Sequence, residues 1–165
     1  MNFHEGDTVM HWTYGLGQII RLEERNLSGV KTPYYAVRIR DMTVWVPSDE
    51  ELEHRLRPPT SKSGFKELFT ILSTPGETLS DDRQLRRTRL LALLRDGSTQ
   101  SLCLIISSLH AYRKLRPLND SDQSILKQSK NAVLGEWEFV LSVTPAQAEY
   151  ELHHWLSSEP ATVEG

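Results

Sequence analysis

The sequence predicts an α+β protein: a small N-terminal β barrel followed by an all-α domain of about five helices. Three features predict it. The first fifty residues fall into short runs rich in Val, Ile, Thr, Tyr and Trp, bounded by Gly, Pro and Asp. A connecting stretch, EHRLRPPTSKSG, follows, with two prolines, a glycine and short polar residues. Everything beyond it repeats its apolar residues at helical spacing, with cap residues at the breaks. The expected boundaries are residues 1–53 for the barrel, 54–63 for a linker, 64–158 for the helical domain and 159–165 for a flexible tail.

In the barrel, DTVMHW and GQIIRLEERN are separated by TYGLG, and KTPYYAVRIR and TVWVP by DM. Tyr35, Val37 and Ile39 alternate with Tyr34, Arg38 and Arg40, the period of a strand with one buried face. Short strands with tight turns suit a barrel, because closure removes exposed edges.

The helices follow in order. GFKELFTILS puts Phe65, Leu68, Phe69 and Leu72 on one face. SDDRQLRRTRLLALLRDG opens on Ser80-Asp81-Asp82, good N-cap chemistry, and closes at Gly97. STQSLCLIISSLHAYRKL is apolar almost all round, so it should be the central helix. NDSDQSILKQSKNAVLGEWEFVL starts at Asn119 and carries a stripe of Ile125, Leu126, Val133, Leu134, Trp137, Val140 and Leu141. TPAQAEYELHHWL has Thr144 as N-cap, Pro145 at the first helical position and Gln147 at the capping-box position.

The composition narrows the function. A formal net charge of −3 argues against a large basic surface for nucleic acid, though not against a local basic patch. No apolar run reaches the length of a membrane span, the N-terminus lacks the pattern of a signal peptide, and the single cysteine, Cys103, sits in an apolar run. A cytoplasmic protein without membrane contact is expected. The glycine pair Gly15-Leu16-Gly17 lacks the third glycine and following helix of a dinucleotide fingerprint, and no Gly-Lys-Ser/Thr phosphate loop occurs. It reads as a bend between strands. The six histidines show no ligand spacing, so no metal or cofactor is expected. The acidic pairs in LSDD and NDSD stand at helix starts, where capping explains them. No nucleophile motif is visible, so an enzyme acting on a small-molecule substrate is not expected.

Two patterns remain. Arg83, Arg86, Arg87 and Arg89 crowd the start of one helix, and the first three share a face. They read either as a phosphate clamp or as a solvated face balanced by Asp81 and Asp82. Trp45 alternates with Val44 and Val46, so it reads either as an outward interface anchor or as a second core layer under the helices.

The chain resembles the CarD/CdnL family of bacterial transcription regulators, whose N-terminal RNA polymerase-interacting domain also occurs in transcription-repair coupling factor. The resemblance lies in Gly6-Asp7-Thr8-Val9, Tyr14-Gly15-Leu16-Gly17 with Ile19, Glu23-Glu24-Arg25, Ser28-Gly29, Tyr34-Tyr35 and Val46-Pro47, and more faintly in Leu134-Gly135-Glu136. It implies a Tudor/SH3-like barrel that docks on the RNA polymerase β subunit. It also implies a helical domain lying weakly and nonspecifically against promoter DNA at the upstream edge of the bubble, so that the open complex is stabilised. Arg25 matches a family polymerase contact, and Trp45 stands at another that is usually basic. Leu27 and Thr43 join them in the expected polymerase-binding set. Arg83, Arg86, Arg87 and Lys130 form the expected DNA-binding set. The family's minor-groove tryptophan falls near Arg83, and all four tryptophans of this chain lie elsewhere. A polymerase adaptor whose helical domain recognises another protein is therefore the alternative.

Overall fold

Period-two patterning and tight turns produce a five-stranded antiparallel sheet in the N-terminal part of the computed structural model, which describes residues 2–158. The tail expected at 159–165 lies outside the described residues. The strands are β1 (Thr8–His11), β2 (Gly15–Leu27), β3 (Val30–Ile39), β4 (Met42–Pro47) and β5 (Leu56–Arg57), in the order β4-β3-β2-β1-β5. The α+β class and the four expected strand runs are present. The fifth strand and a short helix, α1 (Leu52–Arg55), occupy the end of the barrel segment and the first part of the stretch read as a linker. Leu56 is buried, and β5 pairs with β1 through Met10–Arg57 and His11–Leu56. A two-residue strand carries too little pattern to be read from sequence.

The stretch HWTYGLGQII is a strand, a bend and a second strand. Gly15 has φ +86° and lets the chain reverse direction. Gly17 has a different reason to be glycine. A methyl group there would lie 2.7 Å from Ile39 Cγ1 and 2.9 Å from the Arg38 carbonyl oxygen. Val9, Ile19, Tyr35, Val37, Ile39 and Val46 fill the inner side, as the alternation in β3 requires. His11 is buried at the bend; its Nδ1 accepts the Thr13 and Tyr14 amides at 3.1 and 3.2 Å, and its ring stacks on Tyr14. Burial lowers its pKa from 6.5 to about 4.

Contacts divide the chain into two units, Met1–Pro59 and Thr60–Gly165. The second holds α2 (Lys62–Leu72), α3 (Arg83–Asp96), α4 (Thr99–Arg113), α5 (Asp120–Leu141) and α6 (Pro145–Ser157). Side-chain caps start them all: Ser61, Asp82, Ser98, Asn119 and Thr144 each accept a backbone N–H. Asn119 and Asp122 complete a reciprocal capping box. Gln147 does not: its amide donates to Glu151 instead, so α6 has a simple Thr144 cap. α4 is the central helix, with Leu102, Cys103, Ile105, Ile106 and Leu109 buried. Phe65 and Phe69 of α2 pack against Trp137 of α5 with ring centroids 5.4 and 5.0 Å away, and Phe69 stacks on Trp155 of α6. Each such pair adds roughly 0.5–1.5 kcal/mol to plain burial. The Trp137 indole N–H donates to Glu151 at 3.1 Å. Among the described residues no helix is long and apolar enough to cross a membrane.

Candidate functional site

An irregularity in the sheet decides which side chains β2 offers to solvent. The β2–β3 register shifts between Ile19 and Arg21. Ile19, opposite Val37, faces the core, whereas Arg21 stands opposite Ala36 and points the other way. The extra residue reverses the alternation, as a bulge must. Arg21, Glu23, Arg25 and Leu27 therefore share the outer face. On β4, Trp45 is opposite Ala36 and Thr43 opposite Arg38, so they share that face too. The four residues expected from sequence to contact polymerase thus lie on one side of the sheet.

Two of them touch. The Arg25 guanidinium lies 3.7 Å from the centroid of the Trp45 ring, and that of Arg21 lies 5.4 Å away. The intervening strand makes this possible. Ala36 sits in register between Arg21 and Trp45, and its small side chain lets the longer ones close over β3. Arg21 is also held by Glu23 at 2.8 Å. Trp45 is half-buried, with both guanidinium groups over its ring. Beyond Arg25 the chain turns at Ser28-Gly29, both with positive φ, and leaves Leu27 54% and Val30 62% exposed.

The helical unit treats its arginines differently. Arg86 is only 3% exposed. Its Nε and Nη2 each lie 3.0 Å from the Asp122 carboxylate, and its Nη1 donates to the Ser80 carbonyl and the Tyr112 hydroxyl. The hydrogen bonds and charge of the Asp122 carboxylate raise the Arg86 pKa. Arg89 is tied to Glu77, with Nε donating at 2.8 Å. Arg83 and Arg87 stay exposed and line a groove of about 270 Å³ with Asn119 and Ser121. Arg87 donates to Ser121 at 3.0 Å. Lys130 lines a different cavity, near the C-terminal end of α4.

Residues 3–58, almost all of the sheet unit, match the family model described as CarD-like/TRCF RID domain. The sheet unit is a CarD-like/TRCF RID domain. Across both units the chain is 26% identical, over 151 residues, to a Bacillus subtilis protein named "Putative transcription factor YdeB"; the match covers 88% of this chain and 96% of that protein.

Within the RID domain, Arg25 and Trp45 touch, whereas Leu27, opposite Val30, and Thr43, opposite Arg38, lie toward the two ends of the same face. Arg21 was not foreseen. Its signal was the alternation Arg21, Glu23, Arg25, readable only once the bulge is known. In the helical unit the expected DNA set does not hold as a cluster. Arg86 must be withdrawn from it: the spacing i, i+3, i+4 predicts one face shared with Arg83 and Arg87, but Arg86 is buried against Asp122, 36 residues away, while the other two stay exposed. Lys130 is separated from the arginine pair. Within the sheet, Trp45 lies on the face opposite the Val37–Val46 core, as its alternation with Val44 and Val46 requires.

Proposed function

We propose that the protein is a non-enzymatic transcription regulator whose RID domain docks on the RNA polymerase β subunit and whose helical unit makes weak, sequence-nonspecific contact with promoter DNA at the upstream edge of the bubble, stabilising the open complex. The observation that carries this reading is the Arg25–Trp45 stack on the outer face of a unit that matches the RID family. The indole orders the guanidinium before binding, which lowers the entropic cost of docking, and the N–H edges of Arg25 remain able to pair with carboxylates. Leu27 and Thr43 extend the same face. Arg83 and Arg87 offer two cations to phosphates, too few for tight DNA binding alone. Linking the two weak contacts in one chain raises the effective concentration of the second.

The burial of Arg86 favours a second reading as well, a polymerase adaptor whose helices recognise a protein. Both readings share the docking face, which is tested first. Affinity of the full chain for RNA polymerase is measured for Arg25→Ala, Trp45→Ala and the double variant. Each single change should weaken binding by about 1–2 kcal/mol. The double should fall short of their sum by roughly 0.5–1 kcal/mol, because removing Trp45 already disorders Arg25. Unchanged affinity in both singles would remove this face from the interface.

A further inference from the structure

The second cavity of the helical unit is larger than the groove under Arg83, with a volume near 590 Å³, within the usual size of small-molecule sites. It is walled by the end of α4, by α5 and by α6. Three cations reach it: Arg113 from α4, and Lys127 and Lys130 from α5. None of the three donates a side-chain hydrogen bond or forms a close ion pair among the described residues. Leu126 and Leu134 supply an apolar wall, and Glu149 of α6 is the acidic residue on the lining. Lys130 is half-buried, and its pKa is lowered first by that burial and then by Arg113, with Glu149 offsetting part of the effect. A partly desolvated ammonium beside a guanidinium is poorly compensated, and a multivalent anion would restore the balance.

We propose that this cavity binds a small organic phosphate, with Arg113, Lys127 and Lys130 on the phosphate and Leu126 and Leu134 against the organic part. A guanidinium fork with two ammonium groups matches a dianionic group with several acceptor oxygens. The leucines distinguish an ester from the free ion. Glu149 acts as the internal counter-charge that the ligand must outcompete.

Calorimetric titration of the full chain tests this with adenosine 5′-monophosphate, dihexanoyl phosphatidate, inorganic phosphate and adenosine. At least one of the two esters should bind at least about tenfold more tightly than inorganic phosphate, and more tightly than adenosine. Which of the two does so tells a nucleotide source from a lipid one. Lys130→Gln should weaken that ester about tenfold, the loss of one charge-assisted contact, while Glu149→Gln should tighten it. Lys127→Gln, at an exposed position, should weaken it too and guards against misfolding of the Lys130 variant. Arg83→Gln should leave it unchanged. Esters that bind no better than inorganic phosphate, or that bind Lys127→Gln and Lys130→Gln as tightly as the unaltered chain, overturn the proposal. So does a loss on Lys130→Gln seen only with a DNA duplex, which would assign this lysine to DNA.

Discussion

His11 shows how one side chain can set the acid limit of a fold. Its ring is buried and neutral, with Nδ1 occupied as an acceptor by two amides, so the remaining proton sits on Nε2. In the unfolded chain its pKa returns to 6.5, against about 4 in the folded one. Between these values the unfolded state binds more protons, so stability rises with pH across this window. The contribution is complete above 6.5 and is lost as pH falls toward 4, by as much as about 3 kcal/mol. Denaturant unfolding at pH 7, 6, 5 and 4.5 should show this slope. His11→Asn keeps an acceptor near the two amides but cannot be protonated, and its profile should be flatter by the same amount. Parallel profiles would assign the acid sensitivity to other groups. The same scale shows what the sequence could not reveal. Trp45 was visible through strand alternation, and Arg25 through the family's residue order. The burial of Arg86 was not, because it depends on Asp122, Tyr112 and the Ser80 carbonyl, contacts made by tertiary packing.

At the scale of elements, the helices were legible because each break carries its own chemistry. Asn119 and Thr144 were readable as caps, Asp82 only as one of the three residues Ser80-Asp81-Asp82, and the apolar stripe of α2 appears in the structure as buried Phe65, Leu68 and Leu72. The β2 bulge was illegible, since no residue type marks it, and with it went the orientation of Arg21. The Arg86–Asp122 pair now has a structural role: it fastens the start of α3 to the start of α5. Asp122 is also the residue that accepts the Asn119 amide in the capping box. Arg86→Met would leave its carboxylate buried without a cation and should cost about 3–5 kcal/mol. Adding Asp122→Asn removes the buried charge while keeping an acceptor for the cap, so the double variant should recover part of that loss. Chemical denaturation of the two variants checks both statements. A double variant no more stable than Arg86→Met alone would place the cost in lost packing.

At the scale of the molecule, the question is whether the two units act on one target. The division falls between Pro59 and Thr60, directly after β5, so the RID domain and the helical unit are joined without a long spacer. A chain of net charge −3 with two exposed arginines over one groove should have little affinity for free DNA. Its contact should become measurable only when docking on polymerase supplies the local concentration. Affinity for a preformed polymerase–promoter complex should therefore exceed affinity for polymerase alone. If Arg83 and Arg87 each displace a counterion from a phosphate, that excess should fall with salt, with a log–log slope of about −2. Arg83→Gln/Arg87→Gln should abolish the excess and its salt dependence while leaving binding to polymerase alone unchanged. Arg86 is excluded from this test because its loss would unsettle the helical unit. An excess that survives the double variant, with no salt dependence, would mean that the helices meet a protein surface beside the promoter. The adaptor reading would then replace the DNA contact, with the docking face of the RID domain unaltered.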